Sequence, residues 1–226
     1  GNSQTTIGLI ENGTVGRRWR LKTDRLDTAD ELDAALRSFL ALDGMALADI
    51  HAAAVASVVP VLTDMWRNAL EHALGEEPFV VSASEVHGIE IAMPYPGQVG
   101  ADRIADAVEA RASYGSPAIV VDFGTATNID VVDAHGRYRG GCIAPGLMLS
   151  ASALFEKAAK LASIPIEVPP AAIGDTTEHA LQAGLVLGVA AQAEGLVARI
   201  KAQLAAEEGT SKIECLVIAT GGLSRV

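Results

Sequence analysis

The chain has 226 residues, half of them hydrophobic, with 17 basic and 28 acidic side chains and a formal net charge of −11. That apolar content is ample for a real core and excludes a disordered chain. The acidic excess, with no basic cluster larger than Arg17-Arg18-Trp19-Arg20, argues against nucleic acid and anionic membranes as partners.

Cys142 and Cys215 stand far apart and the histidines form no metal spacing, so no zinc site is expected. The longest apolar run, residues 52–62, contains Pro60 and is well short of the roughly 20 residues of a membrane helix. With no basic-then-apolar leader, the expectation is a soluble cytoplasmic protein. The chain starts at Gly1 and stops just after a glycine pair, so both ends read as trimmed.

In chain order, residues 5–10 and 15–21 read as strands joined at Glu11-Asn12-Gly13, whose Asn-Gly pair is a strong hairpin signal. Thr28 and Glu31 predict a capping box, followed by a helical stripe of Leu32, Leu36, Phe39 and Leu40 that ends near Gly44. Residues 53–59 read as a buried strand ended by Pro60. Leu62, Met65, Trp66, Ala69, Leu70, Ala73 and Leu74 then recur at helical spacing up to Gly75, and 79–81 is a short strand. A Pro/Gly-rich loop over 93–100 precedes an alanine-rich helix over 102–114. Strands are expected over 118–123 and 128–132, with a turn at Ala134-His135-Gly136 and another strand through Tyr138. Residues 140–146 read as a loop, 147–161 and 178–204 as helices, and 213–219 as a closing strand. Both halves run strands, then helices, then strand, an α/β pattern.

The halves share a layout. Aligning Gly1-Asn2-Ser3 with Gly124-Thr125-Ala126 puts Gly13 on Gly136, so a glycine with a polar neighbour, a strand and a glycine turn recur at one spacing. Any two hairpins look somewhat alike, but Asp122 just before the second glycine adds chemistry. Asp122-Phe123-Gly124-Thr125 resembles the phosphate-binding loop of the superfamily of actin, hexokinases and heat-shock ATPases. Glycine lets backbone N–H groups approach phosphate, a hydroxyl adds a donor, and a carboxylate holds a cation. By the repeat, an Asp is expected two residues before Gly1.

Five stretches stand in the order seen in type III pantothenate kinases, which the chain resembles over essentially its full length. They are Val99-Gly100-Ala101-Asp102-Arg103, Val120-Val121-Asp122-Phe123-Gly124-Thr125-Ala126-Thr127, Gly140-Gly141 with Ile143-Ala144-Pro145-Gly146, Ile173-Gly174 with Thr177, and Ala219-Thr220-Gly221-Gly222-Leu223. The resemblance implies an α/β fold of two duplicated ribonuclease-H-like (actin-like ATPase) domains, 1–114 and 115–226. Each is a mixed sheet flanked by helices, and the active site lies in the cleft between them. It implies ATP-dependent phosphorylation of pantothenate to 4′-phosphopantothenate, the first step of coenzyme A synthesis, by a homodimer.

For the site, the resemblance implies that Asp102 takes the proton of the acceptor hydroxyl and Arg103 binds the substrate carboxylate, with Gly100, Ala101 and Thr177 also on the substrate. An alcohol is a poor nucleophile without such a base, and an arginine fork matches a carboxylate. ATP would meet Gly1, Asn2, Ser3, Gln4, Thr5, Thr6, Gly124 and Thr125, with Gly221 and Gly222 against the adenosine. Asp122 would hold potassium or ammonium, and a divalent cation, Mg²⁺ by expectation, would accompany the ATP. Locally, Asp102 also reads as a helix cap, Arg103 as a solvated charge, Asp122 as a strand-end Asp bonded to backbone, Thr177 as an N-cap, and Gly221-Gly222 as an ordinary turn.

Two departures stand out. The family often has an aromatic seven residues before Gly100, where this chain has Met93, with Tyr95 two residues on; either side chain is a candidate substrate contact. Thr176 stands where Asn is common. Competing expectations are another small-molecule kinase or phosphatase of the superfamily, and a non-catalytic regulator on the same fold. The Arg beside the base favours an acceptor with a carboxylate, and retention of Asp102, Asp122 and Thr125 speaks against the regulator.

Overall fold

Asn12 and Gly13 both take positive φ, 51° and 76°, and turn the chain between β1 (Gln4–Glu11) and the antiparallel β2 (Thr14–Lys22). The left-handed pair matches the right-handed twist of the strands, as the Asn-Gly signal predicts. The computed structural model describes residues 2–86, 88–157 and 163–224. The chain divides into two compact units, Gly1–His87 with Tyr95–Ala105, and Gly88–Pro94 with Asp106–Val226.

In the first unit the predicted capping box starts α1 (Ala29–Leu42): the Thr28 hydroxyl accepts from Glu31 N, and the Glu31 carboxylate accepts from Thr28 N at 2.9 Å. Leu32, Leu36 and Leu40, one turn apart, face Leu62, Trp66, Ala69 and Leu70 of α2 (Pro60–Leu74), and the two stripes form the core with Val55 and Val59. Each fully buried leucine of this kind contributes about 1.5–3 kcal/mol. Trp19 of β2 stacks on Phe39 with ring centroids 5.9 Å apart and donates to Asp43 at 3.1 Å, which fastens the hairpin to α1. The strand expected over 53–59 shrinks to β3, Ala54–Val55, paired in parallel with β4, Phe79–Val80. Pro60 explains the shortening: it is the first residue of α2, where its missing N–H is no loss, and the residues before it turn into the helix.

The second unit is built on a five-stranded mixed sheet in the order β5-β8-β7-β6-β9. Its strands are β5 (Glu90–Ile91), β6 (Ala118–Phe123), β7 (Ala126–Val132), β8 (Arg137–Pro145) and β9 (Leu216–Thr220). The helix α3 (Ala101–Tyr114) spans the boundary between the units. Residues 140–145, expected as a loop, continue β8 instead. Gly140 and Gly141 do not end the strand, because Ile129↔Cys142 and Thr127↔Ala144 keep it paired beyond a register shift on β7. The two hairpins keep their spacing, since 137 minus 14 and 145 minus 22 both give the same offset between β8 and β2.

After β8 come α4 (Leu147–Lys157) and a long helix made of α5 (Thr177–Gln182), one π turn (Ala183–Leu187) and α6 (Gly188–Glu207). The end of the helix expected over 147–161 lies outside the described residues. Ala193, Leu196, Val197 and Ile200 of α6 cover Ile119, Val121 and Ile129 of the sheet. By length and composition alone the stretch Thr177–Glu207 could cross a membrane, with a mean hydropathy of 1.4 in its most apolar window. One face of it packs on the sheet, while only 17% of that window is buried within the chain.

Asp133, 2 % exposed, organises the β7–β8 turn. Its carboxylate accepts from His135 N at 3.0 Å, from Arg137 N at 2.9 Å and from Arg137 Nε at 2.9 Å. Burial would raise its pKa, but the hydrogen bonds and charge of Arg137, with the His135 N–H, outweigh burial and hold the carboxyl below its ordinary 3.8. Asp133→Ala leaves the part-buried donors of the turn without their acceptor and is expected to cost about 1–3 kcal/mol in urea unfolding. Because the folded pKa is depressed, the difference between wild type and variant is full above pH 3.8 and shrinks as the pH falls through the folded value.

Candidate active site

Gly100 O accepts from Ile104 N at 3.1 Å, so α3 starts directly after Gly100 and places Asp102 and Arg103 in its first turn. Ala101 and Ile104, 7 % and 0 % exposed, anchor that turn, while Asp102 and Arg103 are half-buried. The Asp102 carboxylate accepts from Arg103 N at 2.8 Å, and the positive end of the helix favours negative charge there. A β-carbon on Gly100 would fall 2.6 Å from Asp102 Oδ1 and 3.2 Å from Val58, so glycine is what lets the carboxylate fold back over the helix start. Gly100 and Ala101 border a groove of about 820 Å³ in the first unit, where Ser57, Thr63, Ser82 and Gln98 supply polar walls.

In the second unit, Asp122 and Phe123 end β6, and Gly124 N donates to Ala126 O at 3.0 Å to close a tight turn into β7. Asp122 is half-buried and Thr125 exposed. Asp122 pairs in register with Asn128 on one side and Thr220 on the other. That parallel pairing with β9 delivers Gly221 and Gly222 beside the turn. A β-carbon on Gly221 would lie 2.3 Å from Asp122 Oδ1 and 2.6 Å from the Phe123 carbonyl, and Gly221 has φ 92°. Leu223 N donates to Phe123 O at 3.2 Å, and Gly146 N to Thr125 O at 3.1 Å. Asp122, Gly124, Thr125, Gly221 and Gly222 therefore converge at the carboxyl ends of two parallel strands. The carboxylate sits in a cradle that any side chain at Gly221 would fill, and its oxygens suit a hard cation.

The remaining candidates lie on other elements. Asn2, Ser3, Gln4 and Thr6 are exposed and Thr5 half-buried at the open end of the β1–β2 hairpin; Thr23 N donates to Ser3 O at 3.1 Å. Gly1 lies outside the described residues. Met93 is half-buried, its sulfur 3.3 Å from where a β-carbon on Gly140 would be, while Tyr95 is 69 % exposed. Thr177 is not the N-cap of its helix: Thr176 is, its hydroxyl accepting from His179 N at 3.1 Å. The threonine in place of the common Asn thus does the capping, and Thr177 stays exposed in the first turn. Among the described residues, no three His, Cys, Asp or Glu side chains group as a metal centre. Thr127 and Leu223, each inside one of the sequence motifs, back the glycine turn together with Ser224, which no motif marked.

The model of the type III pantothenate kinase family matches residues 1–199. The type III pantothenate kinase of Thermomicrobium roseum is 40% identical over 224 residues, covering 99% of this chain and 84% of that protein. That of Roseiflexus sp. strain RS-1 is 41% identical over 226 residues, 100% of this chain and 86% of the relative. That of Streptomyces griseus is 42% identical over 229 residues, 99% and 85%. An α/β mixed-sheet fold with these relatives is a kinase, a phosphoryl-transferring enzyme. The chain belongs to the type III pantothenate kinase family.

Proposed function

We propose that this chain moves the γ-phosphoryl group of ATP to the hydroxyl of pantothenate, with Asp102 as general base, to give 4′-phosphopantothenate and ADP at the start of coenzyme A synthesis. The observation that supports the residue roles is the start of α3, where Gly100 makes room for a half-buried carboxylate next to Arg103, while Gly100 and Ala101 border a groove. Asp102 takes the hydroxyl proton as the oxygen attacks phosphorus and the bond to ADP breaks. Arg103 pairs with the pantothenate carboxylate, a charge-assisted contact that a sugar acceptor would not offer. Gly100, Ala101 and Met93 or Tyr95 complete the acceptor site.

The donor ATP rests its phosphates on Asn2, Ser3, Gln4, Thr5 and Thr6, with Gly1 before them, and on Gly124 and Thr125; its adenosine lies against Gly221 and Gly222. Asp122 holds potassium or ammonium, which offsets phosphate charge, and a divalent cation, Mg²⁺ in this reading, accompanies the nucleotide. Two ribonuclease-H-like halves, 1–114 and 115–226, are supported by the equal spacing of the two hairpins. The enzyme acts in the cytoplasm, with neither nucleic acid nor membrane as partner.

ATP consumption by the purified protein is expected to depend on added pantothenate. Asp102→Asn should keep the fold by circular dichroism yet lose about 10²–10⁴-fold in kcat; activity within a few-fold of wild type would sink the assignment. The cation role has its own test. Activity measured in sodium-only buffer should rise on adding potassium or ammonium, and Asp122→Asn should abolish that response; full activity without either cation counts against it.

The working unit in this reading is a homodimer, with the partner's α5 completing the vitamin pocket through the residue equivalent to Thr177. A helix apolar on all sides is expected to be covered on more than one, yet only 17% of the most apolar window of Thr177–Glu207 is buried within the chain. Ala180, Gly184 and Gly188 are exposed on it, and Met148, Leu149 and Ile143 nearby in sequence or fold are 49 %, 51 % and 67 % exposed. Such a face, if paired, would bury on the order of 800 Å² per chain. Light scattering at micromolar concentration should give twice the chain mass; a fully active monomer would refute the shared pocket.

A further inference from the structure

Thr127 lies on β7 opposite Phe123 of β6 and is 3 % exposed. Its Oγ1 is buried and has no hydrogen-bond partner in the protein. A hydroxyl left in that state is destabilising, and valine would fill the same space without the penalty. Packing therefore does not account for the threonine. The side chain lines a cavity of about 90 Å³, which it shares with Gly124, Leu147, Val186, Leu223 and Ser224. That volume is several times the roughly 10–15 Å³ that one water needs.

The walls of this cavity come from the elements that carry the nucleotide loops. Gly124 is the turn itself, Leu147 opens α4, Val186 belongs to the π turn, and Leu223 and Ser224 follow β9. At the rim a direct bond from Leu223 N to Phe123 O at 3.2 Å joins the two loops. Ser224 Oγ donates to Gly221 O at 2.9 Å, which leaves its oxygen lone pairs able to accept. Leu147, Val186, Val189, Ala190 and Leu223 make the rest of the wall apolar, which disfavours an ion and confines polar contacts to the side of Thr127, Ser224 and the Gly124 backbone. Those groups meet the two to four partners a buried water requires.

We infer that this cavity is an internal hydration site in which Thr127 and Ser224 hold ordered water that bridges the turn at Gly124 to the loop 221–224, so that Thr127 is a positioning residue for the nucleotide. The inference rests on the assignment of those two loops to ATP. Water in this place ties the loops together with nearly the strength of direct hydrogen bonds and sets their spacing.

The test uses the full-length protein, with ATP and pantothenate varied separately. Thr127→Val is expected to raise KM for ATP about 3–10-fold, with KM for pantothenate within about two-fold of wild type, because it removes a water-mediated link. Thr127→Ser keeps the hydroxyl and should restore KM for ATP to within about two-fold. A high-resolution crystal structure of the wild type should show water bonded to Thr127 Oγ1, and that of Thr127→Val should lack it. An unchanged KM for ATP in Thr127→Val together with a higher Tm would overturn the inference, as would an empty wild-type cavity. Should Thr127→Val fail to fold, Ser224→Ala alters the opposite wall; the same rise supports the bridge and an unchanged KM overturns it. Failure of the ATP assignment itself is visible separately, as a Gly221→Ala variant whose KM for ATP is unaltered.

Discussion

Between β6 and β9 the backbone comes so close that a β-carbon on Gly221 would sit 2.3 Å from the Asp122 carboxylate, and one on Gly146 would sit 2.4 Å from the carbonyls of Gly124 and Thr125. Three loops meet at this point, and each depends on the others lacking side chains. The parallel pairing Asp122↔Thr220 brings the strands to the junction, and the hydrogen bonds from Leu223 N and Gly146 N lock it. For a protein of net charge −11 this arrangement matters. The overall field repels a polyphosphate, so an acidic chain that binds one needs local dipoles or a cation to offset that field.

The first unit is organised around the start of α3, where Asp102 is half-buried and Gly100 and Ala101 border a groove. Its stiffness comes from two leucine-rich helices packed stripe to stripe and from the Trp19–Phe39 stack that fastens the hairpin on them. Asp102 is placed on a helix rather than on a loop, with Ala101 and Ile104 buried on either side as anchors. A side chain placed in this way is already constrained by its backbone and by the packing around it.

The long helix of the second unit is shaped by its π turn. One residue beyond the α-helical count in Ala183–Leu187 shifts the phase of the helix; Ala193, Leu196, Val197 and Ile200 meet the sheet, while Ala180 before the turn, Gly184 within it and Gly188 directly after it are exposed. Just before the turn, buried Gln182 donates to Pro165 O at 3.1 Å and pins the segment. Apolar composition alone cannot show such a change of phase, since alanine, glycine and leucine allow both α and π hydrogen bonding.

Local chemistry settled much of this protein in its sequence. The Asn12-Gly13 turn, the Thr28–Glu31 capping box, the Leu32, Leu36, Leu40 stripe and the strand ending at Asp122 and Phe123 each follow from conformational preferences within a few residues, and each forms. The ordered motifs around Asp102, Asp122 and Gly221 also sufficed to recognise the family. Tertiary structure decided what depends on distant partners. β8 runs through Gly140 and Gly141 because β7 supplies hydrogen bonds that outweigh the glycines' preference for a turn, and the strand before Pro60 is short because the proline begins a helix whose position the core sets. The capping of α5 by Thr176 rather than Thr177 rests on a one-residue choice of helix start that two adjacent threonines leave open in sequence. The convergence of Gly221 on Asp122, and the cavity behind Thr127, exist only through the pairing of strands nearly a hundred residues apart, and no local pattern encodes such a contact.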